Sequence, residues 1–127
     1  MLIAMLIYYI SSLFGGGSSD GLVKDIAKPV KEYVQDAAKV KQILAINKEM
    51  LVTEETFAKD IAKAKESLEE LNGNRQTTAA EIVAIFADMD QKRAAAREMI
   101  VADRFKMQAL MTAEEWRKVY APVEPKP

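Results

Sequence analysis

Three adjacent acidic pairs, Glu54/Glu55, Glu69/Glu70 and Glu114/Glu115, are the first candidates for chemistry in this chain. An acid/base couple needs two carboxylates facing one site, with one of them desolvated. Adjacent helical residues point to different faces, so these pairs read as solvated charges. Asp88 and Asp90 flank Met89, but a calcium loop needs a third ligand and a glycine that do not follow. Among the seven methionines, Met107 and Met111 lie one turn apart with Met99 near in phase. Thioethers bind soft metals, yet methionines at helical spacing on an apolar stripe read better as core or contact surface. "FGGGSSDG" lacks the lysine and the spacing of a phosphate loop. The chain has no His and no Cys. That removes the commonest general base, Cys/His zinc sites and nucleophilic triads. The expectation is no catalytic residue, no cofactor and no metal site: a protein of contact rather than an enzyme.

The elements that would position a contact surface are helical. The chain has 127 residues, enough for one domain. Half of it is hydrophobic, but alanine, a strong helix former, supplies much of that half. With four Phe, four Tyr and one Trp, a thin helical layer fits better than a thick core. The net charge of -1, from 18 basic and 19 acidic residues, gives no electrostatic case for nucleic acid.

The N-terminal "MLIAMLIYYISSLF" carries no charge from Leu2 to Phe14. Leu2, Ile3, Leu6, Ile7, Tyr8, Tyr9, Ile10, Leu13 and Phe14 give it an apolar surface all round. As a helix it spans roughly 20 Å, short of the ~30 Å hydrocarbon core. A membrane anchor over residues 1–14 is the leading reading. A cleaved signal peptide and a core helix of a soluble protein are the alternatives. A Gly/Ser linker at 15–20 separates it from a helical domain at 21–121, and 122–127, with its three prolines, reads as a disordered tail.

Val23, Ile26, Val30, Tyr33, Ala37, Val40 and Leu44 recur at spacings of three and four, a three-heptad pairing stripe that needs a partner. Pro29 sets the helix start near Lys28, or else kinks a helix begun at Asp20. The stripe loses phase at Asn47 and Glu54 and resumes at Phe57, Ile61, Ala64, Leu68 and Leu71. Such a shift is a stammer in one helix or a break between two. Thr53, with Glu54 and Glu55 after it, predicts a cap and a break. Whether 20–71 is one helix or two stays open.

"NGNRQTT" at 72–78 is the clearest turn, with Asn and Gly offering left-handed helix ends. Thr78 with Glu81 makes a capping box. The next helix is predicted from about Ala79 to Met111, with Ile82, Phe86, Met89, Ala96, Ile100, Met107 and Leu110 apolar and Arg93 and Asp103 interrupting the seam. An antiparallel hairpin follows. Thr112 with Glu115 is a second box, opening a short last helix whose Trp116, Val119 and Tyr120 share a face. Trp116 and Tyr120 are expected to anchor that helix on the hairpin.

"LVTEET" (51–56), "LMTAEEW" (110–116) and the arginine-rich "QKRAAAREMIVADRFKMQALM" before the latter carry a resemblance. Over residues 43–121 the chain resembles periplasmic helical stress proteins of the Spy/CpxP type, with their LTxxQ motifs, and small metal-resistance sensors built on the same hairpin. Thr112 matches the motif's Thr and Glu115 stands at its Gln; in the first motif Thr56 stands there. The resemblance implies a bacterial cell-envelope hairpin, facing the periplasm, that binds unfolded or partner proteins.

The expected fold is thus all-α: a long, coiled-coil-like antiparallel hairpin with an apolar N-terminal anchor helix and a short C-terminal helix. The expected function is a membrane-tethered envelope protein that binds other proteins as scaffold, adaptor or chaperone. Its partners are other proteins, or itself through the stripe, and the membrane through its N-terminus. A structural coiled-coil subunit of a homo-oligomer or larger assembly is the alternative. A metal-responsive envelope sensor is a lesser one.

Overall fold

Asp36 decides where the first stripe breaks. Its side chain accepts hydrogen bonds from the amides of Ala38 and Lys39, at 2.9 and 3.2 Å, and so starts a new helix. The computed structural model describes residues 23–121, and within them places α1 (Ala27–Tyr33), α2 (Ala37–Gly73), α3 (Ala79–Leu110) and α4 (Ala113–Val119). The anchor segment 1–14, the linker 15–20 and the tail 122–127 lie outside the described residues. Among the described residues there is no strand, and no helix is long and apolar enough to cross a membrane.

Segment 20–71 is therefore two helices, and the break falls at 34–36 rather than at "LVTEETF". Pro29 sits in the first turn of α1, where its missing N–H costs nothing. The continuous 23–44 stripe does not form. Val23, Ile26 and Val30 are buried, but Tyr33 is 39% exposed and Val34, at 4%, takes the inward place. The physical reason is the restart of the helix at Asp36, which resets the phase. From there Val40, Ile43, Asn47, Met50, Glu54, Phe57, Ile61, Ala64, Leu68 and Leu71 run in unbroken three-four alternation, without a stammer. Leu44 flanks this seam, half-buried.

Thr53 caps nothing. It lies inside α2, where its hydroxyl donates to the Glu49 carbonyl one turn back, at 2.9 Å, and contacts the Met99 sulfur on α3 at 3.0 Å. A Thr-Glu-Glu sequence suits a helix start, but the flanking residues are good helix formers and the seam on both sides is continuous, so the helix runs through. The left-handed helix end expected at the turn is also absent. Gly73 is the last residue of α2 and Asn74 is extended, at φ -98° and ψ 114°. The turn closes instead through the Thr77 hydroxyl, which donates to the Leu71 carbonyl, and through the Asn74 carboxamide, which accepts from the Gln76 amide. Thr78 and Thr112 do cap α3 and α4, accepting from the amides of Glu81 and Glu115 at 3.3 and 3.1 Å. Glu115 completes its box by accepting from the Thr112 amide at 2.8 Å.

The two long helices, of 37 and 32 residues, pack together along their length. Thr53 meets Met99, and Lys92 reaches Asp60 at 4.0 Å, so they run antiparallel. Along the stem the seam is thin: Phe57, Ala64, Met89 and Ala96 are buried, with Ile61 and Ile85 packed against them. At the end away from the turn, α1 and α4 fold over the hairpin and make a thicker core. Ile26, Val30, Ile43 and Met107 are wholly buried there.

Candidate functional site

The thick end carries the site, and polar residues at seam positions build it. Asn47 and Glu54 stand where the alternation asks for apolar side chains. Asn47 is 2% exposed, accepts from the Ile26 amide at 3.2 Å and donates to the Lys24 carbonyl at 2.9 Å. Glu54 accepts from the Val23 amide at 2.8 Å. The chain before α1 has irregular backbone, whose buried groups must be paired somewhere. These two side chains pair them and so clamp the N-terminal arm across α2. The same residues that seemed to spoil the stripe hold it in place.

On the other side, α4 lies back over the hairpin. Trp116 and Tyr120 are half-buried, with ring centroids 4.6 Å apart, and both pack on the thick core. The Lys118 ammonium stands 5.9 Å from the Tyr33 ring, tying α4 to α1. Burial pushes the Tyr120 hydroxyl above its ordinary pKa, an effect the nearby Arg104 opposes.

Between the arm, the long helices and α4 lies a cleft of about 690 Å³. Its apolar wall comes from Val23, Met50, Ile100, Val101, Trp116 and Tyr120. Its polar rim holds Lys24, Arg93, Arg97 and Arg104, and no Asp or Glu among the described residues lines it. The three arginines share a face of α3 at helical spacing. Arg93 pairs with Asp90 at 3.4 Å, but its Nε is buried with no hydrogen-bond partner. The Arg104 guanidinium bonds Gln108 at 2.6 Å and sits 4.7 and 5.0 Å from the Phe105 and Trp116 ring centroids. No Asp or Glu among the described residues pairs with Arg97 or Arg104. Val101, on the cleft wall, and Phe105, just outside it, lie one turn apart, 48% and 56% exposed.

No protein-family model matches the chain, and no curated protein or solved structure matches it either. The site is therefore read from its own chemistry. Among the described residues no group of three or more carboxylates is placed to hold a metal ion. Glu54 belongs to the arm clamp and Glu115 to a helix cap, while Glu69 and Glu70 are exposed near the turn. Met107 and Met111 are core residues, 0% and 8% exposed.

Of the sequence-selected residues, the structure brings Val23, Trp116 and Tyr120 to the cleft, with Ile26, Val30, Val40 and Leu44 in the core behind it. Phe57, Ile61, Leu68 and Leu71 lie along the stem, away from it. The sequence reading noted the arginine-rich run 91–111 as a family likeness but assigned Arg97 and Arg104 to no site, and took Arg93 individually as a break in the seam. Their signal was present: three arginines at i, i+4 and i+11 on one helical face. It was hidden by a net charge near zero, which says nothing about local imbalance.

One further carboxyl lies buried away from the cleft. Asp103, 1% exposed at a seam position of α3, has its pKa raised first by burial and then by Glu49 on α2. Lys106, at 3.7 Å, pulls the other way. The buried Asp103 Oδ2 has no hydrogen-bond partner in the structure, and two carboxyl groups can share a hydrogen bond only when one of them is protonated.

Proposed function

We propose that this protein is a membrane-tethered helical protein of the bacterial cell envelope that binds other proteins and catalyses no reaction. One observation carries the reading: the exposed Val101/Phe105 pair beside Arg97 and Arg104, at the end of the hairpin from which the chain leads back to its apolar N-terminus. Singly exposed apolar residues are ordinary, but an apolar pair framed by guanidinium groups that no described Asp or Glu neutralises has the make-up of a contact surface. Its complement is an acidic, apolar segment of a partner. The anchor rests on the uncharged run from Leu2 to Phe14.

The alternative, a structural subunit assembled from copies of itself, draws support from a second place. Val52 and Met99, 51% and 45% exposed, border a shallow hollow on the stem. A photo-crosslinking residue placed in turn at Phe105, Val52 and Val83 of the full chain, in bacterial membranes, separates the two. Protein binding predicts a discrete heterologous adduct from position 105 and none from position 83. Self-assembly predicts an adduct of twice the chain mass from position 52. No adduct from position 105 would contradict the protein-binding reading.

A further inference from the structure

We infer that the cleft between the N-terminal arm and α4 is a binding site for a small amphipathic anion: a carboxylate or phosphate monoester with an aliphatic body. This goes beyond protein binding at the neighbouring surface, which shares Arg97, Val101 and Arg104 with the cleft but centres on Phe105, a residue that does not line it. The volume, about 690 Å³, lies within the range of small-molecule sites. An inorganic anion would leave most of that space and the apolar wall wet, whereas a chain of about ten carbons covers Met50, Ile100 and the Trp116 ring.

Charge fixes the sign of the ligand. Lys24, Arg93, Arg97 and Arg104 line the rim, with no carboxylate among the described lining residues. Placing three guanidinium groups on one helical face costs repulsion that an anion would relieve. The buried Arg93 Nε has a hydrogen to donate and nothing to receive it. Arg97 pairs with no Asp or Glu among the described residues, and a guanidinium is suited to bidentate grip of a carboxylate or phosphate. The arrangement is also stiff. The arm is clamped by Asn47 and Glu54, and α4 is closed by its capping box, so the walls are formed in advance.

Trp116 is the only tryptophan of the chain and lines the cleft, so its emission reports occupancy directly. The experiment titrates the full chain, held in zwitterionic-lipid nanodiscs, with decanoate, decyl phosphate, neutral monodecanoylglycerol and cationic decyltrimethylammonium, all below their micelle concentrations. Acetate and inorganic phosphate serve as headgroups without a chain. The expected result is a saturable emission change with decanoate and decyl phosphate, and binding at least about tenfold weaker for the neutral and cationic compounds. Arg97→Gln should weaken decanoate about tenfold or more with an unchanged circular-dichroism melt, while Val83→Gln, on the stem, should leave it unaltered. An equal response to the uncharged compound, a response that never saturates, or indifference to Arg97→Gln would overturn the proposal. Headgroups alone binding as tightly as decanoate would overturn the amphipathic class.

Discussion

The two ends of the hairpin use the same seam differently. Toward the turn the buried seam is Phe57, Ala64, Leu68, Met89 and Ala96, a single apolar line with alanine at two of its five positions. At the other end four elements converge, large aliphatic side chains fill the space, and polar residues occupy seam positions. The stem is a spacer whose geometry follows from heptad alternation alone. The thick end departs from that alternation at Asn47, Glu54 and Asp103, and it is there that the cleft and the exposed basic face are built. Where a repeating pattern is interrupted by a polar residue, a second element is held against the helix or a charge is kept inside. The interruptions thus mark where to look for function.

The contrast can be broken from its strongest point downward. Ile43→Ala, at the centre of the thick core, should cost about 4 kcal/mol in thermal or urea unfolding, and Leu68→Ala in the stem about 2–3 kcal/mol. Equal losses would show that the two ends are packed alike. Asn47→Ala removes two of the three hydrogen bonds that clamp the arm and leaves the buried Ile26 amide and the part-buried Lys24 carbonyl unpaired. It should cost about 2–3 kcal/mol and raise proteolytic cutting between Val23 and Asp36. Trp116→Ala should cost about 2 kcal/mol, less than a fully buried ring, because Trp116 is only half-buried. A loss within ~0.5 kcal/mol would show that α4 is not anchored by it.

The smallest effect sharpens the comparison through pH. Asp103 has a folded pKa above its unfolded value of 3.8, so the folded state holds a proton that the unfolded chain has already released. Its contribution to stability is full below that unfolded value and is lost as pH rises through the folded one. Asp103→Asn should flatten this fall and gain about 1 kcal/mol at neutral pH, since the amide is uncharged and can donate to Glu49. Parallel stability–pH curves for the two proteins would refute the assignment.

Much of the fold was legible because helix signals are local. The limits of α3 and the caps at Thr78 and Thr112 follow from Thr-x-x-Glu spacing and from apolar alternation between neighbouring turns, although only Thr112 and Glu115 form the reciprocal box, the Glu81 carboxylate accepting nothing from the Thr78 amide. The first half misled for a physical reason. Val40 and Leu44 both continue the phase of Val30 plausibly, and only the cap at Asp36 shows that the phase restarts. Thr53 has the sequence of a cap, but capping is worth ~1 kcal/mol and the continuous seam of α2 outweighs it. Asn47 and Glu54 could be seen as interruptions, yet their partners lie 21 and 31 residues away, a pairing that spacing does not encode. The cleft is likewise a product of tertiary packing. Its arginines share a face that sequence can identify, but its walls come from four separate segments.

The central claim is that the chain covers its own first stripe, leaving the basic face of α3 as the surface for partners. Hydrogen exchange of the full chain tests this most directly at the amides of Val23, Ile26, Val30 and Val34, which donate to Glu54, Asn47, Ile26 and Val30. The account predicts protection of these amides comparable to that of the central turns of α3. Exchange at the rate of unstructured chain would mean that the arm is undocked, and that Val23, Ile26 and Val30 are themselves the contact surface.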